Sequence, residues 1–312
     1  MPKENLKAYL AYVSICIFWG TTYLAIRIGV SQMPPFFFAG IRWLAAGLIL
    51  VTFLFIKGNK LPGLKDILHI AFTGICLIGI SNGLLSVAEQ WLPSGISSLI
   101  ITTIPFWIIG MEAVLPSGPK LNLKIFAGLM LGSIGVVLII GHEWQNLLNK
   151  SYAAGIVSLF CSMIAWSFGS VYSKYKKIKV DLFLGVALEM VIAGIVQILV
   201  GIILGEGSKF YIDEKGFLSL IYLMIFGSII GYSAYIYALK HLPLSFVSTY
   251  AYVNPVIALL LGWLVLGEEM SWLIVIAAAV IFIGVTIVRS GAVQQQKVSL
   301  KNTPLPSPDK LE

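Results

Sequence analysis

Charge is what this chain lacks most. Charged residues fill 11% of its 312 positions, against about 25% in soluble domains, while 58% are hydrophobic and the mean hydropathy is +0.93. That balance excludes a soluble globular protein and indicates an all-α integral membrane protein. Cysteine is scarce too: Cys16, Cys76 and Cys161 all lie in apolar runs. Three widely separated thiols make neither a disulfide framework nor a metal site, and they read as packing residues. The three histidines, His69, His142 and His241, sit near the ends of apolar spans without metal-ligand spacing, so no zinc or Ser-His constellation is expected. No G-x-x-x-x-G-K-[ST] loop appears, which argues against direct ATP drive. GISNG at 79–83 matches the nucleophile-elbow string, but it falls inside an apolar span instead of a strand-to-helix turn. The chain is therefore not expected to be an enzyme, and no cofactor or metal is implied.

What the chain has is long apolar runs. Spans are expected near 9–30, 34–56, 67–90, 94–115 and 121–140, then near 152–173, 181–204, 216–239, 245–266 and 271–289. The first is too long for a signal-peptide core and lacks a small-residue cleavage site, so it is expected to stay in the mature protein. The net charge of +7 is a property of loops. Its cations are scattered between spans instead of massed on one face, which excludes nucleic acid as a partner. With the N-terminus inside, lysines 57, 60 and 65, lysines 174, 176, 177 and 179, and Arg289 with the tail lysines all fall in cytoplasmic segments. The outer loops hold only Lys150, Lys209 and Lys215. This bias predicts a plasma or inner membrane protein with both termini cytoplasmic. The polar segment 290–312 reads as a disordered cytoplasmic tail.

The chain also repeats itself. FWGTTYLAIR at 18–27 and WSFGSVYSK at 166–174 share a tryptophan, small hydroxyl residues, a tyrosine and a terminal cation. A shift of 147 residues lays Trp19 on Trp166, Arg27 on Lys174 and Gly47 on Gly194; a shift of 150 lays Leu92 and Pro93 on Leu242 and Pro243, and Pro105 on Pro255. Two five-helix copies follow, over 9–140 and 152–289. Because five is odd, the second enters the membrane from the opposite side, giving the inverted repeat used by secondary transporters. A duplicated bundle with a purely structural role is the alternative.

The ordered motifs resemble the EamA family of the drug/metabolite transporter superfamily. WGTTYLAIR followed by PPFFFAGIRWLAAG is similar to the family's first two helices, AEQWLPSG and TIPFW to its third and fourth, and YALKHLPLSFVSTYAYVNPVIALLLGWLVLGEE to its eighth and ninth. The resemblance covers about residues 9–289. It implies ten transmembrane helices in two inverted EamA-type repeats, a central cavity between the halves, and transport of small organic metabolites, often outward. The second copy keeps GEE at 267–269, whereas the first has SGP at 117–119 and so lacks that acid.

Ionisable residues inside spans cost about 2.5–3.5 kcal/mol on insertion scales and are functional candidates by default. Arg42 lies well inside the second span, and its repeat mate is Glu189; opposite charges at equivalent positions either pair, contact two poles of a substrate, or sit in separate polar niches. Arg27 stands at the outer end of the first span, where the positive-inside bias gives no reason for a cation, while that bias explains Lys174. Glu89 and Gln90 close the third span at the same depth, making Arg27 with Glu89 an outer-gate candidate. Glu112 near the cytoplasmic end of the fourth span is a second candidate for gating or proton coupling. Asn82 and Asn254, the latter before Pro255, offer amides near the midplane. Among the aromatics, Trp19, Trp107, Trp166 and Tyr252 lie deep enough to wall a cavity, and Tyr23 neighbours the first of them. Glycine pairs in GLMLG (128–132) and GSIIG (227–231) fit close helix crossings.

The expected function is a secondary transporter with alternating access, exporting amino acids or similar small metabolites. Its substrate path is drawn through Trp19, Tyr23, Arg42, Asn82, Glu189 and Asn254. Its partners are a small-molecule metabolite, the lipid bilayer and protons as coupling ion, with homodimer formation left open. A channel or a receptor-like membrane component is the rival reading, although charges so few form no ion-filter ring.

Overall fold

Backbone N–H and C=O groups in hydrocarbon have no water to bond, so a spanning segment must satisfy its own, and an α-helix does so residue by residue. The computed structural model describes residues 3–115, 122–142, 148–176 and 178–302, and among these it contains helices and no strand. The residues 117–119, where the first copy lacks its acid, lie outside the described set.

Ten helices are numbered here in chain order. They are α1 (Lys3–Val30), α2 (Pro35–Ile56), α3 (Leu64–Ala88), α4 (Ser94–Ala113), α5 (Leu123–His142), α6 (Lys150–Tyr175), α7 (Leu182–Ile203), α8 (Glu214–His241), α9 (Tyr250–Leu266, led in by the turn Leu244–Val247) and α10 (Trp272–Asn302). Seven of them are long and apolar enough to cross a membrane, and Leu123–Ile139, Tyr250–Leu266 and Trp272–Val288 are shorter apolar helices. Side chains such as Ile203, Val137 and Phe126 stand exposed on the outside, as expected of surfaces that face lipid. α10 continues to Asn302, through the start of the segment expected to be disordered. Gln, Lys and Leu in that stretch are good helix formers and extend an existing helix without a new nucleus. Residues 303–312 lie outside the described set.

Contacts between helices obey the repeat. α2 packs on α7 and α5 on α10, each pair being equivalent positions of the two copies. α1 lies against α8 and α9, and α6 correspondingly against α3 and α4. The inversion is visible at one end of the bundle. There Tyr12, early in α1, bonds Thr249 at the entry to α9 (2.7 Å), while Lys174, at the close of α6, bonds the carbonyl of Leu242 just before that entry (2.8 Å). The two first helices thus run in opposite directions.

Glycine sets the closest crossings. A β-carbon on Gly194 of α7 would lie 2.5 Å from the backbone nitrogen of Leu44 in α2, and one on its repeat mate Gly47 would lie 2.7 Å from the backbone nitrogen of Val191. Gly128 of α5 and Gly284 of α10 meet in the same way. The GSIIG glycines serve another purpose, because Gly231 makes room for the indole of Trp19 and Gly227 for Thr22 and Arg42.

Gly194→Ala should therefore force backbone against backbone and cost about 1–3 kcal/mol. Thermal unfolding of the purified protein in detergent should fall by several degrees, whereas Gly185→Ala on the same helix, where an added β-carbon meets nothing within 4 Å, should leave it unchanged or slightly raised.

Candidate functional site

Two helices loosen at equivalent places. α3 widens to π spacing over Ile75–Asn82, and α8 does so over Leu223–Tyr232. Such a segment withdraws carbonyls from the i→i−4 ladder, and they need donors from elsewhere. Gln197 Nε2, from α7, donates to the carbonyls of Ile78 (2.8 Å) and Gly79 (3.2 Å), and Trp19 Nε1, from α1, donates to that of Gly227 (3.0 Å). Gly79 and Gly227 are each the fifth residue of their π segment, and each loosened helix is held by a side chain from the opposite copy.

Beside the α3 loosening lies a cavity. Its wall combines Trp19, Thr22, Tyr23 and Ile26 of α1, Arg42 and Trp43 of α2, Ser81, Asn82 and Leu85 of α3, Ile101 and Ile104 of α4, Ser162 and Trp166 of α6, and Tyr250 of α9. The free core measures about 60 Å³, room for a few waters and well under the ~300–1,000 Å³ of small-molecule clefts. Its walls must part before a metabolite fits.

Aromatic rings form one side. Trp19 stands edge-on to Trp166 at 5.3 Å and to Tyr250 at 5.1 Å, with Tyr235 behind both tryptophans. The polar side is built around Arg42, which is only 2% exposed. Its Nε donates to Ser228 Oγ (2.8 Å), its guanidinium carbon lies 4.4 Å from the Trp43 ring centre, and its Nη1 has no hydrogen-bond partner among the described residues. Trp43 Nε1 donates to Asn82 Oδ1 (2.8 Å), which fixes the amide and leaves the Nδ2 donors of Asn82 uncommitted. Ser81 and Ser162 bond each other at 3.0 Å across the α3–α6 contact.

Four of the six residues expected on the path, Trp19, Tyr23, Arg42 and Asn82, thus line one cavity. Glu189 and Asn254 do not. Glu189 is buried and accepts from Tyr232 (2.7 Å), so the opposite charges at equivalent positions neither pair nor share a wall. The Asn254 amide faces the carbonyls of Tyr250 (3.2 Å) and Cys16 (3.0 Å), and these two acceptors assign its nitrogen to that side, where it donates to both and ties α9 to α1. Trp107 packs edge-on to Phe160, and Tyr252 packs edge-on to Phe282; neither reaches the cavity.

Arg27 and Glu89 do meet, through an unexpected atom. Arg27 Nη1 donates to the main-chain carbonyl of Glu89 at the end of α3, and both carboxyl oxygens of Glu89, which is fully buried, have no partner among the described residues. Lys174 repeats the arrangement at the other end of the bundle, donating to the carbonyls of Leu239 (2.6 Å) and Leu242 (2.8 Å) where α8 closes. Each terminal cation caps the helix before the Leu-Pro step. Glu112, the other acidic candidate, accepts from Tyr175 (2.9 Å), linking α4 to α6.

One acid of evident structural importance has no assigned role in the sequence reading. Glu268, in GEE, accepts from the Ser94 backbone N–H (2.8 Å), the Ser94 hydroxyl (2.9 Å) and the Gly95 N–H (3.1 Å), covering the start of α4. A carboxylate on exposed N-terminal amides satisfies orphan donors and the helix dipole together. Ser228 and Tyr232, the partners of Arg42 and Glu189, were also missed. Hydroxyl residues scattered in apolar spans were their only sequence signal.

Ten helices around a polar, aromatic-walled cavity define a multi-pass membrane protein of the kind that carries solutes. The model of the EamA-like transporter family matches residues 6–141 and again 153–290, and the chain belongs to that family. It is 36% identical over 290 residues to the uncharacterized inner membrane transporter YedA of Escherichia coli (strain K12), with 93% of this chain and 92% of that one covered. It is 24% identical over 281 residues to the uncharacterized transporter YoaV of Bacillus subtilis (strain 168), covering 90% of this chain and 96% of the other. A solved structure described only as a crystal structure of a protein superposes with a TM-score of 0.68 at 22% identity, covering 92% of this chain and 98% of that one, and it shares the fold. The protein is a membrane transporter.

Glu268→Ala should strip the acceptors from α4 and cost about 1–2 kcal/mol, read as a lowered unfolding temperature in detergent. Glu269→Ala, at the neighbour that takes no part in this cap, should leave the temperature within error.

Proposed function

We propose that the protein is a secondary transporter that exports small organic metabolites, amino acids or similar compounds, by alternating access between its two inverted halves. The observation that carries the reading is the cavity of about 60 Å³ beside a loosened segment of α3, with an equally loosened segment in α8. A cavity too small for a metabolite, flanked by two helix segments able to exchange hydrogen-bond partners, supports a site that opens by rearrangement and not as a standing pore. Binding between repeats, next to irregular backbone, is the usual arrangement in such carriers. Both termini are assigned to the cytoplasm on the lysine distribution, which puts Arg27, Glu89 and Ser94 at the outer end and Lys174, Glu112 and Leu242 at the inner one.

Trp19, Tyr23, Arg42 and Asn82 are the binding residues in this reading. Glu189 and Asn254 support the walls, through Tyr232 and through the α1–α9 contact. Arg27 with the end of α3 forms part of the outer gate, and Glu112 with Tyr175 part of the inner one. Protons are the coupling ion, and Glu89 is their carrier. Its buried carboxyl group has no hydrogen-bond partner among the described residues, so exchanging a proton there breaks no such bond.

In proteoliposomes, solute counterflow should saturate with concentration, and Arg42→Ala should abolish it while membrane insertion and yield stay normal. Normal counterflow in that variant would remove Arg42 from the path. Glu89→Gln should leave counterflow intact but make net flux insensitive to an imposed pH gradient. If the variant is still driven by the gradient, Glu89 does not carry the proton.

A further inference from the structure

Among the described residues, Arg42 is the one charged side chain in the cavity wall, which holds no acid. Its guanidinium is 2% exposed, is held at one edge by Ser228 (2.8 Å) and at its face by Trp43 (4.4 Å), and keeps Nη1 without an acceptor. The buried cation is thus oriented and left incomplete. Asn82 adds to the imbalance. Because its Oδ1 is taken by Trp43, what it offers the cavity is an N–H donor. Glu189, the acid that the repeat sets opposite Arg42, is occupied by Tyr232 and lies outside the wall. Glu89 interacts electrostatically with Arg42 without a hydrogen bond between them.

From this we infer that the cavity selects organic monoanions: compounds with one carboxylate and an apolar or aromatic body, lacking an ammonium group. The inference rests on the transport reading, and within its small organic metabolites it puts acids that lack an ammonium group in place of amino acids. A carboxylate supplies the paired acceptors that a guanidinium fork is shaped to take, and it neutralises a charge that has been removed from water. The body of the ligand lies against Trp19, Trp166 and Tyr250. A zwitterionic amino acid presents the same carboxylate but brings an ammonium for which the described wall holds no acid. The rings alone offer an ammonium a cation–π surface, but the guanidinium in the same small cavity repels it. An unpaired buried charge is the arrangement hydrocarbon tolerates least.

The test is binding to the purified full-length protein in detergent, by equilibrium dialysis at neutral pH, of three labelled probes with one ring: phenylacetate (anion), phenylalanine (zwitterion) and phenethylamine (cation). Phenylacetate should bind about tenfold or more tightly than either of the others, a difference of one charge-assisted contact. Arg42→Gln should weaken phenylacetate by a similar factor, and Arg42→Lys should recover part of the loss. Asn82→Asp, which keeps the acceptor for Trp43 and adds an acid to the wall, should weaken phenylacetate and narrow the gap to phenylalanine. Equal or tighter binding of phenylalanine or phenethylamine to the wild-type protein overturns the inference without any variant, as does phenylacetate binding that ignores Arg42→Gln in a protein of unchanged unfolding temperature. Detecting no binding of any probe also overturns it. Counterflow of phenylacetate in proteoliposomes then separates the two claims: tight, Arg42-dependent binding without counterflow leaves the anion site standing and removes the carrier.

Discussion

A main-chain carbonyl released inside a bilayer has no water to turn to, and this structure is organised around supplying donors to such groups. Gln197 and Trp19 reach into the π segments of α3 and α8, Arg27 and Lys174 cap the ends of those helices, and Asn254 bonds two carbonyls between α1 and α9. Glu268 does the complementary work for free amides at the start of α4. Most polar residues that look expensive in the apolar spans are thus committed to the backbone. Against that background Arg42 Nη1 and the Glu89 carboxyl group are conspicuous, because their burial is not matched by partners.

The repeat makes the same devices appear twice, but it does not make them identical. Trp19 and Trp166 meet at the centre as repeat mates. On the first-copy side of that pair lies the cavity; on the second-copy side Tyr232 and Tyr235 are fully packed and Glu189 is bonded. Equivalent backbones therefore carry an open half and a filled half. In the alternating-access reading proposed above, these open and filled halves are the roles that exchange.

Much of this was legible in advance, and the failures have a common cause. Apolar runs, the Leu-Pro steps and the tryptophan phrases marked ten helices in two copies, because hydropathy and short motifs report order along the chain. Depth is also readable from position in a span, which is why Trp19, Tyr23, Arg42 and Asn82, drawn on one path from the sequence, lie along one cavity wall. Rotation about the helix axis is not. Glu189 shares the depth of Arg42, but its side chain meets Tyr232, and Asn254 turns toward α1. Those directions are set by packing against helices distant in sequence. The partner of Arg27 escaped prediction for a different reason: it is a carbonyl, and every residue has one.

The cap on α4 has a mechanical corollary. Three donors, the Ser94 N–H and hydroxyl and the Gly95 N–H, converge on one carboxylate, so the start of α4 and the end of α9 form a single rigid corner. At the corresponding place in the first copy the sequence has Ser117, Gly118 and Pro119, with no acid to close a matching corner on the entry to α9. One mouth of the bundle is therefore hinged around a clasp. The chain, though duplicated in sequence, places the acid for it in one copy only.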